Sequence, residues 1–208
     1  VQSFNKLVYT YITYYDKMQE LNLLKERCLA CQKCDLHKTR TNVVFGYGPP
    51  DAQIMFVGEG PGEQEDLSGQ PFVGRAGKLL DQFLDVACLS REENVYIANI
   101  VKCRPPQNRD PKPEEQDICI DWLREQTRII RPKIMVCLGR IAAQRLISPN
   151  FLVTKEHGEF IEKAGILFMG TFHPAALLRD PRRKEDAFAD FLALRGKAGE
   201  LGIIDFKA

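Results

Sequence analysis

Apolar and polar positions along the chain follow two periods, which predict helices and strands in turn. Apolar side chains recur every three or four residues from Phe4 to about Glu26, as in an amphipathic helix. Short apolar runs bounded by turn residues predict buried strands at 53–57, 95–101, 134–138 and 166–169. Helical periods predict further helices at 78–87, 113–130, 142–147 and 185–194. A shorter run at 159–162 is compatible with a strand at a sheet edge.

This alternation of strands and helices predicts an α/β fold. Helices that connect parallel strands cover both faces of the sheet, so we expect three α/β/α layers around a central, mainly parallel four-stranded sheet. The sequence has no internal repeat and no linker, which predicts a single domain over 1–208 with an N-terminal helix. Ligands bind beyond the carboxyl ends of such strands. Residues 59–66, Asn99 and His173 follow or end three strands, and we expect them to meet at one edge.

Composition and charge exclude several classes of protein. The 208 residues include 29 Lys and Arg against 28 Asp and Glu, a formal net charge of +1. A polyanionic partner must therefore be met by a local basic patch, and a polybasic tail is excluded. The sequence contains no apolar run of about eighteen residues and no secretory signal at its start, so we expect a soluble, intracellular protein with no membrane partner.

The seven cysteines predict thiols or metal ligands rather than a disulfide scaffold, because their number is odd and a chain of this length can bury a full core. The candidate thiolates form two pairs, Cys31 with Cys34 and Cys103 with Cys119. A C-x-x-C turn suits either zinc or an iron-sulfur cluster, and the spacing alone does not choose between them. Cys28 could compete as a ligand, whereas Cys88 and Cys137 lie in apolar surroundings typical of small core residues.

Three segments carry a resemblance to a known family. The first reads Gly-Glu-Gly-Pro-Gly-Glu-Gln-Glu-Asp at 58–66 and Gly-Gln-Pro-Phe-Val-Gly-Arg-Ala-Gly at 69–77. The second reads Val-Tyr-Ile-Ala-Asn-Ile-Val-Lys-Cys-Arg-Pro-Pro at 95–106, and the third His-Pro-Ala-Ala-Leu-Leu-Arg at 173–179. Together with the cysteine spacing, they closely resemble the family 4 uracil-DNA glycosylases, the iron-sulfur branch of that superfamily. The resemblance extends from about Cys31 to Leu194.

The resemblance implies a base-excision repair enzyme that acts on uracil in single- and double-stranded DNA. Such an enzyme flips the uracil out, hydrolyses its N-glycosidic bond, releases free uracil and leaves an abasic site. The resemblance, and not the spacing, selects a 4Fe-4S cluster over zinc, and its ligands here would be Cys31, Cys34, Cys103 and Cys119. It also implies a monomer that acts in the cytoplasm, at the nucleoid.

Three residues are candidates for binding the base. Phe72 lies in a glycine-flanked loop and by analogy stacks on the flipped base, although it could instead plug the core. Asn99 interrupts an apolar strand, and its amide can pair with the imide N–H and the adjacent carbonyl of uracil; it could instead satisfy backbone groups. His173 can donate a hydrogen bond to the carbonyl that gains negative charge as the base departs, against the default of a structural histidine.

A carboxylate near the sugar would stabilise the positive charge on the sugar and orient the attacking water. The resemblance places Glu59 in the pocket loop with the Gly60 backbone close to the base and Pro61 beside it, and Glu65 is the second candidate. Better-known branches of the superfamily carry an aspartate at the position of Gly60, which is absent here. Asp110 is assigned no catalytic role.

Basic residues next to these segments are candidates for contacting DNA phosphates. They are Arg75, Lys78, Lys102, Arg104, Arg109, Lys112, Arg179, Arg182, Arg183 and Lys184. Leu177 and Leu178 could form an apolar wedge that fills the gap left by the flipped base, or they could be the buried side of a short helix.

Two alternatives compete with hydrolysis by water. A related branch bonds covalently to DNA through a histidine in a loop after the second motif, but residues 104–110 contain no histidine, so turnover by water is expected. A protein of a different class, a non-enzymatic cluster or zinc module that binds nucleic acid or carries electrons, would release no uracil.

Overall fold

The computed structural model describes the backbone of residues 2–205 and the side chains of residues 13–205. The α-helices are α1 (Gln2–Leu29), α2 (Glu63–Ser68), α3 (Arg75–Val86), α4 (Pro113–Ile130), α5 (Arg140–Leu146), α6 (Val153–Glu156), α7 (Pro174–Arg179) and α8 (Lys184–Glu200). The β-strands are β1 (Ile54–Gly58), β2 (Val95–Asn99), β3 (Ile134–Leu138), β4 (Phe160–Lys163) and β5 (Ile166–Thr171). Single 3-10 turns lie at Asp35–Lys38, Pro106–Asn108 and Pro181–Arg183. That 1–208 forms one domain stays a prediction.

The central sheet has the strand order β2-β1-β3-β5-β4. Strands β1, β2, β3 and β5 run parallel, and β4 pairs antiparallel with β5. The predicted mainly parallel α/β/α fold is confirmed, but the count of four strands is wrong, because the weak run near 160 does form an edge strand. The parallel strands end at one edge, where Gly58 lies opposite Asn99 and Leu138 lies opposite Thr171.

Side chains of the central strands alternate between two apolar cores, one on each face of the sheet. In β1, Met55 and Val57 pack with residues of α1 and α4, whereas Ile54 and Phe56 pack with residues of α3 and α8. Because both faces are covered by helices, every position of the strand is buried and the strand appears in the sequence as an unbroken apolar run.

The five helices predicted from the sequence pattern are present, and the structure adds three short ones, α2, α6 and α7. The helix predicted at 113–130 is α4, and α1 confirms the first helix, although the side chains of residues 4–12 lie outside the described residues. Residues 63–68, for which the sequence pattern predicts no helix, form the short helix α2. Across residues 2–205, no helix combines the length and the apolar composition that crossing a membrane requires.

A buried carboxylate fixes the end of β5, two residues before His173. Asp190 of α8 is buried and accepts a hydrogen bond from Thr171 Oγ1 at 2.5 Å. Its other oxygen lies 2.8 Å from Nδ1 of His157. Burying a carboxylate is costly unless its hydrogen-bonding capacity is met, and these partners meet it. The segment that carries His173 is thereby tied to the layer formed by α8.

Candidate active site

One cavity of about 510 Å³ lies at the carboxyl ends of β1, β2, β3 and β5. This is the edge where open α/β sheets bind ligands, and the volume is that of a small-molecule site. The predicted site residues that line it are Glu59, Gly60, Pro61, Glu65, Phe72, Asn99, Arg109, His173 and Arg179. The prediction that three segments meet at one edge is therefore confirmed, while the chemical roles of these residues stay predictions.

Asn99 presents an unpaired acceptor at this cavity. The residue ends β2 and is 1% exposed, and its Oδ1 atom is buried with no hydrogen-bond partner among the residues that the structure describes. Its neighbour across the sheet is Gly58, where a Cβ atom would lie 2.5 Å from this Oδ1 and 2.8 Å from Cζ of Phe72. Only glycine leaves room for both side chains. The alternative that the Asn99 oxygen satisfies backbone groups does not hold.

Phe72 faces the cavity from a strained position. Its φ of 53° lies in the left-handed region that side chains other than glycine rarely adopt. Its ring lies 5.6 Å from that of His173, centroid to centroid, at an angle of 35°. The residue is largely buried and belongs to the apolar core, so it lines the cavity and packs in the core at once.

Two charged side chains hold the Phe72 loop in this conformation. Glu65 Oε1 accepts hydrogen bonds from the backbone N–H groups of Val73 and Gly74, each at 2.9 Å. Arg91 donates to the carbonyl of Phe72 at 3.2 Å. Because the Glu65 carboxylate binds these two N–H groups, it supports the loop at the start of α3.

His173 is placed and polarised by its own backbone. It precedes α7, and its Nδ1 accepts a hydrogen bond from the N–H of Ala175 at 3.1 Å. In the neutral ring the proton is then on Nε2, which can donate. Burial, with the positive charge of Arg179 as the next cause, lowers the pKa of His173 to about 4. The ring is therefore an uncharged donor at neutral pH.

Glu59 is a half-buried carboxyl directly after β1. Burial, followed by the nearby charge of Asp110, raises the pKa of Glu59 to about 7, against the opposing effects of Arg140 and Arg179. Sequence reasoning assigned Asp110 no role and did not single out Arg140, yet both line the cavity. The available signal was the position of Arg140, which follows the end of β3 as the other site residues follow their strands.

The structure corrects two of the predicted DNA contacts. Lys102 is 1% exposed, and its ammonium group donates to the carbonyl of Asn99 at 3.0 Å and to Oε1 of Gln126 at 2.7 Å, so its prediction as a phosphate contact is wrong. Leu177 is on α7 and its side chain is buried in the core, so its prediction as an apolar wedge is wrong. The next residue, Leu178, is half-buried.

The other predicted DNA contacts remain at the surface to different degrees. Arg75 and Arg179 are exposed. Arg104 is partly buried and donates to Oδ1 of Asn108 at 2.8 Å. Arg109 binds Glu115 through both of its terminal nitrogens, at 2.8 and 2.7 Å, so that part of its charge is neutralised and its loop is fixed to α4.

Five cysteines line a second cavity beside α4. They are the four predicted ligands Cys31, Cys34, Cys103 and Cys119, together with Cys28. Two sulfur atoms already accept hydrogen bonds, Cys103 Sγ from Arg40 Nη1 at 3.2 Å and Cys119 Sγ from the N–H of Lys102 at 3.3 Å. Among the described residues, no group of three His, Cys, Asp or Glu side chains is arranged to hold a single metal ion.

The three cysteines outside the predicted ligand set differ from one another. Cys28 is fully buried and lines the same cavity, so it remains an alternative candidate ligand. Cys137 is fully buried in the core, as predicted. Cys88 was also predicted in the core, but it is exposed just after α3 with a φ of 56°, and that prediction is wrong.

Comparison with known proteins assigns the chain to a family. The sequence model of the Uracil DNA glycosylase superfamily matches residues 45–194. The chain is 46% identical over 192 residues to a Type-4 uracil-DNA glycosylase of Archaeoglobus fulgidus, an alignment that covers 88% of this chain and 94% of the relative. It is 46% identical over 168 residues to a Type-4 uracil-DNA glycosylase of Thermotoga maritima, an alignment that covers 80% of this chain and 87% of the relative. The chain belongs to the type-4 family of the uracil DNA glycosylase superfamily.

The type-4 assignment confirms the resemblance that the three motifs carry. A Type-5 uracil-DNA glycosylase of Pyrobaculum aerophilum is more distant, at 32% identity over 147 residues, covering 63% of this chain and 65% of the relative. Residues 45–194, which match the superfamily, include every residue that lines the cavity, from Glu59 to Arg179. They also include two of the predicted cluster ligands, Cys103 and Cys119.

Proposed function

We propose that this type-4 family member hydrolyses the bond between uracil and its deoxyribose in DNA. The observation that carries the proposal is the buried, unpaired Oδ1 of Asn99 at the cavity. A buried acceptor without a partner costs about 1–3 kcal/mol, so its presence indicates a site that receives a donor from a ligand. The imide N–H of uracil is such a donor.

The base is recognised through its hydrogen-bonding edge and its face. Asn99 accepts the imide N–H through Oδ1 and donates from Nδ2 to the adjacent carbonyl. Cytosine presents an acceptor and a donor in the reverse order, so both contacts would become repulsive. The base reaches the cavity only after leaving the helix, and the ring of Phe72 then stacks on it.

The base departs with the electron pair of the broken carbon–nitrogen bond. Negative charge develops on a ring carbonyl, and the Nε2–H of His173 donates a hydrogen bond to that oxygen. Because the ring is neutral and its other nitrogen is already bound to Ala175, it stabilises the leaving anion without transferring a proton.

Water completes the reaction at the sugar. The carboxylate of Glu59 stabilises the positive charge on the sugar carbon and accepts a proton from the water whose oxygen bonds to that carbon. The uracil anion takes up a proton from solvent and Glu59 releases one to solvent, so the products are free uracil and an abasic sugar. Glu65 has a positioning role, since its Oε1 atom holds the Phe72 loop. The backbone of Gly60 is tightly packed, because a Cβ atom there would lie 2.7 Å from Cγ2 of Val101.

The proposed function is tested with single- and double-stranded oligonucleotides that contain one uracil. We expect strand cleavage only after alkali, which breaks abasic sites, and none with oligonucleotides that carry cytosine in place of uracil. Release of no uracil from either substrate would leave the alternative of a non-enzymatic module that binds nucleic acid.

The proposed partners follow from this chemistry. They are uracil-containing DNA, single- or double-stranded, and free uracil as the product. All the groups that we assign to the reaction come from one chain, so a monomer suffices. Since the substrate is cellular DNA, we place the protein inside the cell, at the nucleoid when it acts.

Exposed arginines beside the cavity form the proposed DNA path. Arg75 lies at the start of α3 and Arg179 at the end of α7, and both are free to reach phosphates. Arg104 and Arg109 lie on the loop before α4, and their hydrogen bonds hold that loop in the conformation that we propose faces the DNA. Leu178 is the one of the two leucines whose exposure allows contact with DNA.

The salt dependence of binding tests this path. Arg75→Ala removes one phosphate contact, and we expect it to lower the slope of log affinity against log salt by about one. Arg124→Ala is the matched control, because Arg124 is exposed on α4 and pairs only with Asp121 of its own helix among the described contacts. Equal slopes for both variants would contradict the proposed path.

The cysteine cavity suits a 4Fe-4S cluster on Cys31, Cys34, Cys103 and Cys119. The hydrogen bonds from Arg40 and from the N–H of Lys102 to sulfur are those that thiolates bound to iron accept. When bound, the cluster would tie the end of α1 and the loop after β2 to α4, which fixes the arginines of that loop beside DNA. Hydrolysis needs no electron transfer.

Single cysteine variants test the ligand set. We expect Cys103→Ser to lose the visible absorption of the anaerobically purified protein and to unfold at a lower temperature, because a bound metal stabilises the folded state. Cys88→Ser is the matched control, since Cys88 is exposed and outside the cavity. Colourless wild-type protein would refute the cluster, and loss of absorption in Cys28→Ser would change the ligand set.

A further inference from the structure

One buried cation connects the two cavities and has no role in the reaction as described so far. Lys102 lines the cysteine cavity, where its backbone N–H donates to Sγ of Cys119. Its ammonium group donates to the backbone carbonyl of Asn99, a residue that lines the cavity at the strand ends. Lys102 and Asn99 are each only 1% exposed. Lys102 therefore joins the cysteine cavity to the proposed base-binding residue through the core.

The Lys102 side chain fixes the peptide group that follows Asn99. Its Nζ atom lies 3.0 Å from the carbonyl oxygen of Asn99, three residues earlier in the chain. The N–H of the same peptide group, that of Ile100, donates to the carbonyl of Gly58 at 2.9 Å. A planar peptide group that is bound at both its carbonyl and its N–H cannot rotate freely. The ψ angle of Asn99 is thereby fixed, and with it the direction in which the Asn99 side chain leaves the backbone.

Gln126 of α4 holds the ammonium group of Lys102 in place. Its Oε1 accepts from Lys102 Nζ at 2.7 Å, and its Nε2 donates to the carbonyl of Phe45 at 2.9 Å and to the hydroxyl of Tyr96 at 3.0 Å. Gln126 is fully buried, and both polar atoms of its side chain have partners. Tyr96 belongs to β2, so this network ties the strand that ends at Asn99 to α4 at two points.

Stability alone does not explain a lysine at this position. Burying an ammonium group removes it from water, and this cost offsets much of what its hydrogen bonds contribute. A well-packed apolar side chain of similar volume often stabilises a core equally well or better. What an apolar side chain does not supply is a donor to the carbonyl of Asn99. The lysine is therefore best explained by the placement of Asn99.

We propose that Lys102 is a positioning residue for base recognition: bound to Gln126, its ammonium group holds the Asn99 peptide so that the Asn99 amide meets the edge of uracil. The inference rests on the proposed function, because it concerns the residue that is proposed to bind the base. Lys102 touches neither the base nor the sugar in this role, since it does not line the cavity at the strand ends.

The test is a double-mutant cycle between Lys102 and Asn99, measured as the single-turnover rate of uracil release from a single-stranded oligonucleotide. Lys102→Met removes the donor, and we expect it to lower the rate by about 10², the loss that a displacement of about 1 Å can cause. In Asn99→Ala the amide is gone, but the carbonyl that Lys102 binds remains. In that background Lys102→Met should change the residual rate by no more than about twofold, because independent effects add within this limit.

Lys17→Met is the matched control. Lys17 is half-buried on α1, and its ammonium group donates to the carbonyl of Ile130 at 2.9 Å, outside the cavity at the strand ends. The same chemical change there should leave the rate of uracil release unchanged. Gln126→Met gives a second cycle with a milder change, for use if the melting temperature shows that Lys102→Met does not fold. We expect it to cause a smaller loss, again only where the Asn99 amide is present.

The outcome of the cycle decides between positioning and a general structural effect. The inference is overturned if the substitution lowers the rate by the same factor with and without the Asn99 amide, because a disturbance of the core or of the cysteine cavity acts in both backgrounds. It is also overturned if Lys102→Met and Gln126→Met release uracil at the wild-type rate. A wild-type protein that releases no uracil would refute the proposed function instead, so the two failures are distinguished.

Discussion

Asn99→Asp is expected to slow uracil excision by a factor of about 10⁴, because sites built to hydrogen-bond a substrate lose this much when the pairing is wrong. The change keeps the size of the side chain but replaces the Nδ2 donor with a second acceptor oxygen, which then faces a uracil carbonyl. Since Asn99 is 1% exposed, little water can relieve that repulsion. The measurement is the single-turnover rate of uracil release from a single-stranded oligonucleotide.

Asn22→Asp provides the control for this prediction. Asn22 is exposed on α1 and outside the cavity, so the same change of charge there should leave the excision rate unchanged. The melting temperature of each variant separates loss of recognition from loss of folding. Excision by Asn99→Asp at the wild-type rate would show that this side chain does not bind the base edge.

The sequence predicted strand β3 and helix α4 more accurately than the short helix α2 and the edge strand β4. Strand β3 and helix α4 have the predicted bounds, because a strand buried on both faces and a long amphipathic helix each leave a strong apolar pattern. Helix α2 was missed because its six residues are flanked by Gly62 and Gly69, and a helix this short shows no clear period. The edge strand β4 has two exposed residues out of four, which weakens its pattern as well.

Convergence of the site was predictable, but the partners of individual side chains were not. The carboxyl ends of parallel strands share one edge, so Asn99 and His173 could be placed together from topology alone. A lysine after a strand is exposed by default, and Lys102 departs from this because the Asn99 carbonyl and Gln126 receive its ammonium group. Gln126 lies 24 residues further along the chain, on α4, and periodicity does not detect a contact of this kind.

The ionic environment of Glu59 depends in the same way on distant elements. Asp110 and Arg140 are separated by α4 and β3 in the chain and meet only in the folded protein. In the sequence, Asp110 resembles any solvated loop residue. Its effect on Glu59 arises because the fold brings both residues to the cavity, where Glu59 is half-buried and its charge is less screened by water. A pKa shifted by such neighbours is a property of the fold and could not be predicted from the motif alone.

His173→Asn is expected to lower the rate of uracil release by about 10² to 10³, the loss that follows removal of one donor to a developing oxyanion. This variant separates catalysis from structure better than alanine does. Asparagine is a favoured N-cap, so it can accept the N–H of Ala175 in place of Nδ1 and keep the start of α7 intact. Its shorter amide does not replace the Nε2 donor.

Stability and pH dependence complete the test of His173. Because asparagine keeps the N-cap, the free energy of unfolding of His173→Asn should lie closer to that of the wild type than the free energy of His173→Ala, which loses the cap and about 1 kcal/mol. In the wild type and in both variants the rate should rise with pH through about 7, because Glu59 must lose its proton to act as the base. His173 itself gains a proton only as the pH falls toward about 4, where burial and Arg179 hold its pKa. A wild-type rate in His173→Asn would contradict the donor role, and loss of the rise near pH 7 would show that the imidazole, and not the carboxyl group, titrates there.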